Sequence, residues 1–238
     1  MTINKTILGA VAFSLPLLAG SFFAWAAQAP GGAPALRPPT PPAAPMTFFV
    51  TSVGLGKGGD LGGLAGADAH CQALAQAVGS TKTWHAFLST QARPGQPAVN
   101  ARDRIGKGPW HNSKNGIIAA DLNELLGDTL ESAQQGNGMW KLSIITEKGQ
   151  MIAGEADNRN IHNILTGSTT DGRAYTDNAD RTCNNWTSSS SGGVRVGHSD
   201  RTGAGNISWS SSEDIASCDQ REFQLSHGAG LFYCFAID

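Results

Sequence analysis

The segment Gly230-Leu231-Phe232-Tyr233-Cys234-Phe235-Ala236-Ile237 is apolar at almost every position, with no alternation of polar and apolar residues. A continuous apolar run of this length is typical of a strand that is buried on both faces. We therefore predict a central strand here. Its cysteine then lies in the middle of the hydrophobic core.

Two further strands and one helix are predicted around this strand. Phe48 to Val53 is rich in aromatic and β-branched residues, which favours a strand, and Trp84 to Ser89 is predicted as a second short strand. Between them, apolar residues recur at helical spacing, which predicts a helix from about Leu64 to Gly79 with Cys71 on its buried face.

The second half of the chain carries weaker signals. A second helix is predicted over 117–126, because Ile117, Ile118, Leu122, Leu125 and Leu126 are spaced for one apolar face before Gly127. From Thr166 to Ser217 small and polar residues dominate, which predicts a long loop region. A loop of that length in a compact domain is usually functional or covalently held.

The four cysteines can supply covalent links, since an even number in an exported protein indicates disulfides. Four cysteines allow three pairings, and spacing alone leaves all three open. A link from Cys71 to Cys234 would close a loop of well over a hundred residues. In the chain-entropy model such a closure contributes about 4 to 5 kcal/mol.

The N-terminal region reads as an export signal followed by a linker. One lysine precedes a long apolar run that ends in small residues, so we predict a signal peptide over 1–26 and a periplasmic or extracellular protein. The alternative is an uncleaved anchor from Ile7 to Ala27, and contact with a membrane is expected only through that segment. A Pro/Ala-rich linker over 27–45 then precedes one folded domain over 46–238.

Charge and motif spacing exclude several classes of protein. The formal net charge is −2 and no basic run is present, so we expect no nucleic-acid partner. Gly54 to Gly59 fits G-x-G-x-x-G, but the next predicted strand ends at Ser89 without the acid that binds a ribose. We interpret this glycine run as a turn.

The polar region carries the candidate ligand-binding residues. Two tryptophans there could stack on a sugar ring while neighbouring polar groups bond its hydroxyls. The alternative is that both tryptophans form the local core of a loop-rich half. The predicted ligand-binding residues are Asn185, Trp186, His198, Asp200, Arg201 and Trp209.

An enzymatic interpretation is less favoured. His198, Ser199 and Asp200 are adjacent, which suggests a hydrolase built on His198 and Ser199, yet adjacency does not supply the geometry of a nucleophile and its base. The six histidines show no H-x-x-x-H pair, so no zinc site is indicated and no metal ligand is assigned.

Several segments together resemble the endostatin domain of collagens and its bacterial lectin-like relatives. They are Ala67-Asp68-Ala69-His70-Cys71, Trp84-His85-Ala86-Phe87-Leu88-Ser89, Thr182-Cys183-Asn184-Asn185-Trp186-Thr187, Ser217-Cys218 and Leu231-Phe232-Tyr233-Cys234. The resemblance implies an α+β, C-type-lectin-like fold with two helices around twisted antiparallel sheets and a long loop region. It also implies nested disulfides, Cys71–Cys234 and Cys183–Cys218.

The function that the resemblance implies is that of an exported, lectin-like binding module. Its expected ligand is a glycan or a protein at the cell envelope. A structural protein that pairs with itself or with an envelope partner is the alternative, and the oligomeric state is left open. We expect no cofactor. Calcium is the one considered, because Thr176 to Asp180 offers oxygen ligands, although the Glu-Pro-Asn or Gln-Pro-Asp motif of calcium-dependent lectins is absent.

Overall fold

The computed structural model describes residues 45–127, 137–202 and 207–238. The predicted signal peptide and the linker up to residue 44 lie outside these ranges. Within them, no helix combines the length and the apolar character needed to cross a bilayer.

The described residues form short strands and helices joined by long loops. In chain order they are β1 Phe48–Val50, α1 Gly63–Ala77, β2 Trp84–Ala86, a 3₁₀ turn Ala101–Asp103, β3 Trp110–His111, β4 Ile117–Ala119, α2 Leu122–Leu125, β5 Asn163–Leu165, α3 Cys183–Trp186, β6 Val194–His198, β7 Glu213–Ile215, α4 Gln220–Leu225 and β8 Gly228–Ala236.

The nine-residue strand β8 is the centre of the main sheet, as predicted. It pairs antiparallel with β1 and β2 and parallel with β5. The sheet continues from β5 to β6 and β7, both antiparallel. The parallel β5–β8 pair makes this a mixed sheet, so the expectation of purely antiparallel sheets is wrong on this point.

Successive side chains of β8 enter two different cores, because neighbouring residues of a strand point to opposite faces. Phe232 and Cys234 pack in one core with helix α1 and β6. Tyr233 and Phe235 pack in the other with the β3–β4 hairpin. A strand buried on both faces needs apolar residues at every position, which explains the uninterrupted run.

Helix α1 packs closely on the sheet because its buried positions are small. Ala67, Cys71 and Ala75 are fully buried and lie four residues apart, on one face of the helix. The sequence predicted this face and its cysteine correctly. Val78 was expected on it too, but it lies just beyond the last helical residue and is exposed.

The two disulfides are those implied by the resemblance. Cys71 bonds Cys234 across 163 residues, and Cys183 bonds Cys218 inside that span across 35 residues, so the links are nested. The glycine run forms a turn against the inner disulfide. A side chain at Gly58 would collide with the carbonyl of Cys218, and one at Gly59 with Cys183, so only glycine fits at either position.

The predicted second helix is wrong over its first half. Ile117–Ala119 forms strand β4, which pairs with β3 in a hairpin, and only Leu122–Leu125 is helical. The turn contains Asn115 in the left-handed region followed by Gly116, a dipeptide that favours hairpins. Asp121 then caps the short helix by accepting bonds from the Asn123 and Glu124 amides.

The polar region is more regular than predicted. Strands β6 and β7 lie within it and extend the main sheet, although most of their residues are not strongly apolar. Their backbone hydrogen bonds to β5 and to each other compensate for the weak local signal. The described loops that remain in this region include 166–182, 187–193, 199–202 and 207–212.

Candidate ligand-binding groove

Two loops that are distant in sequence enclose a cavity of about 430 Å³. One wall is Gln91 to Pro94, which follows β2, and the other is Tyr175 to Asp180 in the long polar loop. The lining offers an amide, a guanidinium, a phenol ring and carboxylates. A cavity of this size is within the range that holds small ligands or a sugar unit.

A second cavity of about 550 Å³ adjoins the first. It is lined by Asn184 and by the segment from Thr187 to Gly192, which contains four consecutive serines. Arg93 and Asp180 line both cavities, so the two lie side by side. We call the pair the polar groove, defined by residues 91–94, 175–180 and 184–192.

Asn185 and Gln91 join the walls of the polar groove. The Gln91 amide donates to Asn185 Oδ1 at 2.9 Å, and Asn185 Nδ2 donates to the Gln91 carbonyl at 3.0 Å. Gln91 in turn uses its own side chain, donating to the Ala179 carbonyl and accepting from the Arg181 amide. The side-chain amides of Asn185 and Gln91 therefore link two backbone segments that lie about ninety residues apart in sequence.

The Asn185 side chain reaches Gln91 because α3 is left-handed. Its four residues have φ between 48° and 67°, a region that L-residues enter at a cost of about 1 to 2 kcal/mol each. Asn184 and Asn185 are among the residues that tolerate it best. Tertiary contacts hold the turn: the Cys183–Cys218 bond and the Trp186 indole, whose Nε1 donates to the Ser89 carbonyl at 2.7 Å.

Arg181 anchors the Tyr175 to Asp180 loop. Its guanidinium contacts Asp177 at 3.0 Å, binds Asp214 on β7, and lies 4.5 Å from the centre of the Tyr175 ring. The hydrogen bond from Arg181 lowers the pKa of Asp177, and the two acids raise the pKa of Arg181. The Asp177 carboxylate is thus paired within the protein.

The carboxylates of this loop are engaged within the protein. A calcium site needs several carboxylate and carbonyl oxygens turned toward one point. Asp177 is engaged by the Arg181 guanidinium, and both carboxylate oxygens of Asp180 accept the Asn184 amide. Across the residues that the structure describes, no group of three or more His, Cys, Asp and Glu side chains is placed to hold a metal ion.

The structure separates the six predicted ligand-binding residues. Asn185 is half-buried in the wall of the polar groove. Trp186 and Trp209 are each 0 % exposed, so neither ring has a free face for a sugar. The stacking role is corrected to a core role: Trp186 packs beside the inner disulfide, and Trp209 packs on Phe87 and Tyr233.

The other three predicted residues lie buried at and just beyond the end of β6, outside the lining of the polar groove. The Asp200 carboxylate contacts His162 Nδ1 at 3.0 Å and accepts the Glu155 amide at 2.7 Å. The His198 ring stacks on His162, with ring centres 4.2 Å apart. Arg201 donates to the Asn137 side chain at 2.8 Å. These contacts are structural ones between loops.

The hydrolase alternative also fails on burial. Ser199 is 2 % exposed, and its amide donates to the carbonyl of His162. Asp200 is hydrogen-bonded to His162 rather than to His198. A nucleophile needs access to substrate and a base within hydrogen-bond reach. The adjacent His-Ser-Asp triplet therefore does not form an accessible catalytic triad.

Sequence reasoning missed Gln91, Arg93 and Tyr175 as lining residues. Tyr175 to Asp180 contains an exposed run of Thr, Asp and Asn, and this run was noted only as a source of cation ligands. No local pattern marks Gln91 to Pro94, because its role depends on a contact with Asn185.

The fold, the nested disulfides and the long polar loop define a C-type-lectin-like domain, a class of generally non-enzymatic binding modules. The family model described as Collagenase NC10 and Endostatin matches residues 50–220. The chain belongs to this endostatin family. No curated protein matches it. The matched residues end before β8, so the family model does not include the central strand or Cys234.

Proposed function

We propose that this protein is an exported binding module whose polar groove holds a glycan or a protein segment of the cell envelope. The observation that carries the proposal is the pair of neighbouring polar cavities that share Arg93 and Asp180 in their linings. Two disulfides and an endostatin-like domain are typical of extracellular proteins, which supports export.

The lining of the polar groove is suited to a ligand rich in hydroxyl groups. The serines at 188–191 and Thr187 offer hydroxyls that donate and accept, and Asn178 and Asn184 offer amides that do both. Sugars present the complementary mixture of donors and acceptors. Tyr175 adds an aromatic lining residue, with the guanidinium of Arg181 near its ring.

The fixed walls support binding without rearrangement. The bonds from Gln91 to Asn185, Ala179 and Arg181 tie both loops before any ligand arrives. A pre-organised site loses less conformational entropy on binding, which raises affinity for the same contacts.

Asn178 gives a direct test, because it is exposed in the lining and its side chain makes no bond within the described part of the protein. An array of glycans and envelope polymers, probed with and without calcium, should identify a ligand for the wild-type chain. Asn178→Ala should weaken that binding, by about tenfold if one polar contact is lost. Asn158→Ala, an exposed asparagine outside the groove, is the matched control.

Two results would contradict the proposal. One is the absence of binding above background for every polymer, and the other is equal loss of binding in both asparagine variants. Light scattering separates the alternative of self-assembly. A stable oligomer in which Asn178 is protected from solvent would assign the groove to a subunit contact.

A further inference from the structure

A second exposed surface lies on the β3–β4 hairpin and the segment 137–152 that packs beside it, which we call the strap. Four of the large apolar side chains that are exposed in the described residues lie on these two segments. They are Ile117 at 55 %, Trp140 at 51 %, Leu142 at 69 % and Met151 at 59 %.

Backbone contacts keep the hairpin and the strap together. The Gly138 amide donates to the Ile118 carbonyl at 2.6 Å, and Asn112 Nδ2 donates to the Ser143 carbonyl at 2.9 Å. Within the strap, Met151 forms a bridge with Ile145. The exposed apolar side chains therefore belong to one connected unit rather than to independent loops.

The strap presents its apolar residues on a projecting turn. The Ser143 and Ile144 amides both donate to the Trp140 carbonyl, at 2.9 and 2.8 Å, which closes a tight turn with Leu142 at its tip. Met139 and Ile144, on either side, are fully buried and hold the base of the turn. An exposed apolar turn whose base is buried in the core is suited to insertion into a lipid surface.

The charge of this unit is positive. The hairpin turn 112–116 and the strap carry Lys114, Lys141 and Lys148 and one acid, Glu147. The Glu147 side chain is 0 % exposed and accepts bonds from the Ser52 amide and hydroxyl. Lys141 pairs with Asp157 outside the strap at 2.6 Å. Lys148 Nζ lies 3.7 Å from Glu147 Oε1, but its side chain is 54 % exposed. The hairpin turn and the strap thus carry three lysines against one buried acid, in a chain whose net charge is −2.

We propose that this unit docks on the surface of an anionic lipid bilayer, with Trp140 and Leu142 inserted at the headgroup boundary. Tryptophan and leucine flanked by lysines are the composition of interfacial membrane anchors. Burial of the apolar tip away from water lowers the free energy of the docked state. Attraction of the lysines to the negative surface potential of the bilayer lowers it further. This contact goes beyond the polar groove and involves none of its residues.

Fluorescence of the full chain tests the docking. The other five tryptophans are common to wild type and Trp140→Phe, so the difference between the two proteins isolates the signal of Trp140. Four of the five, Trp84, Trp110, Trp186 and Trp209, are at most 1 % exposed. With vesicles of phosphatidylcholine and phosphatidylglycerol, that signal should shift to shorter wavelength and be quenched by brominated acyl chains. Vesicles of phosphatidylcholine alone should leave it unchanged. If the chain attaches to vesicles through another segment, the Trp140 signal is neither shifted nor quenched.

Matched variants sharpen the test. Leu142→Glu should abolish the quenching of Trp140, whereas Leu225→Glu, at a leucine on α4 that is 63 % exposed, should leave it intact. Lys114→Gln and Lys148→Gln should each raise the concentration of anionic lipid that gives half-maximal quenching by about fivefold.

Three outcomes would overturn the proposal. The first is an unchanged Trp140 signal with both kinds of vesicle. The second is equal loss of quenching in Leu142→Glu and Leu225→Glu. The third is a Trp140 signal that does not change with vesicles but shifts when polyglutamate is added. That result would assign the surface to an acidic protein partner.

Discussion

At the residue scale, the buried fraction of each tryptophan side chain is not evident from its neighbours in the sequence. Trp186 and Trp209 both lie among polar neighbours along the chain, yet both are fully enclosed. Their indole nitrogens donate to backbone carbonyls, Trp186 to Ser89 and Trp209 to Leu125, so burial leaves no unpaired N–H. Each ring fills core volume and also donates a hydrogen bond to a backbone carbonyl.

Trp186→Ala and Trp209→Ala should each lower the free energy of unfolding by about 3 to 5 kcal/mol, because a large cavity remains and a hydrogen bond is lost. Trp140→Ala should change it by less than about 0.5 kcal/mol, since half of that side chain is exposed. Urea unfolding measures all three. A small effect at Trp186 or Trp209 would contradict their core role.

Asn185 combines a special backbone conformation with two side-chain bonds, and two substitutions separate these contributions. Asn185→Gly keeps the φ of 55° but loses the bonds to Gln91, at a cost of about 1 to 2 kcal/mol. Asn185→Ala should cost about 1 kcal/mol more, because alanine is strained in the left-handed region. Equal unfolding free energies for the two variants would show that backbone strain is absent at this position.

At the element scale, the structure depends on pairings between short segments. Strand β4 forms because Asn115-Gly116 turns the chain back onto β3, a local signal that outweighs the helical spacing of Ile117 to Leu126. Strands β6 and β7 have little intrinsic strand preference. They form because β6 pairs with β5 and β7 pairs with β6. The loop from Tyr175 to Asp180 is likewise held by side chains from outside it, among them Arg181 and Gln91.

The contact between Arg181 and Asp177 predicts how this loop responds to acid. The pKa of Asp177 is below its ordinary value of 3.8 in the folded protein, chiefly because of the hydrogen bond from Arg181. A lowered pKa means that the contact is fully present above pH 3.8 and is lost as the pH falls through the lowered value. Ligand binding by the polar groove should therefore be insensitive to this group at neutral pH.

NMR titration of the Asp177 carboxyl carbon measures the effect. The midpoint should lie below 3.8 in the wild-type protein and rise toward 3.8 in Arg181→Gln, which cannot supply the charge. Asp171 offers an internal control, since its lowered pKa arises from bonds with Thr169 and Arg173 instead. A midpoint for Asp177 that does not respond to Arg181→Gln would refute the assignment.

At the scale of the whole molecule, the nested disulfides secure two different levels of structure. The outer link joins α1 to β8 and therefore ties together the two elements that build the first core. The inner link connects the left-handed turn to the segment before α4, and so it holds the Thr187 to Gly192 wall of the polar groove. Stability and site geometry are thus assigned to separate bonds.

Removal of each disulfide by paired cysteine-to-alanine substitution should reveal this difference. All four cysteines are fully buried, so the cavities left behind are similar and the loop lengths differ. The chain-entropy model predicts losses of about 5 kcal/mol for Cys71→Ala/Cys234→Ala and about 4 kcal/mol for Cys183→Ala/Cys218→Ala. Ligand affinity of the folded protein should fall only in the second pair. A larger stability loss for the inner pair would contradict the model.

The local elements of this protein were predictable from its sequence. The double-faced strand at Gly230 to Ile237, the α1 face with Cys71, and the strand beginnings at Phe48 and Trp84 each follow from periodicity and side-chain type, which act over a few residues. The order of the four cysteines, with the segments around them, was enough to indicate the endostatin family and its nested pairing.

Only the tertiary structure decided which residues face a ligand. Exposure of Trp186 depends on Ser89, ninety-seven positions away, and the polar groove exists because Asn185 meets Gln91 across ninety-four. Polar neighbours along the chain do not report these distant contacts, since a side chain's solvent exposure is set by whatever packs against it in space. The groove and the projecting strap are therefore properties of the assembled fold.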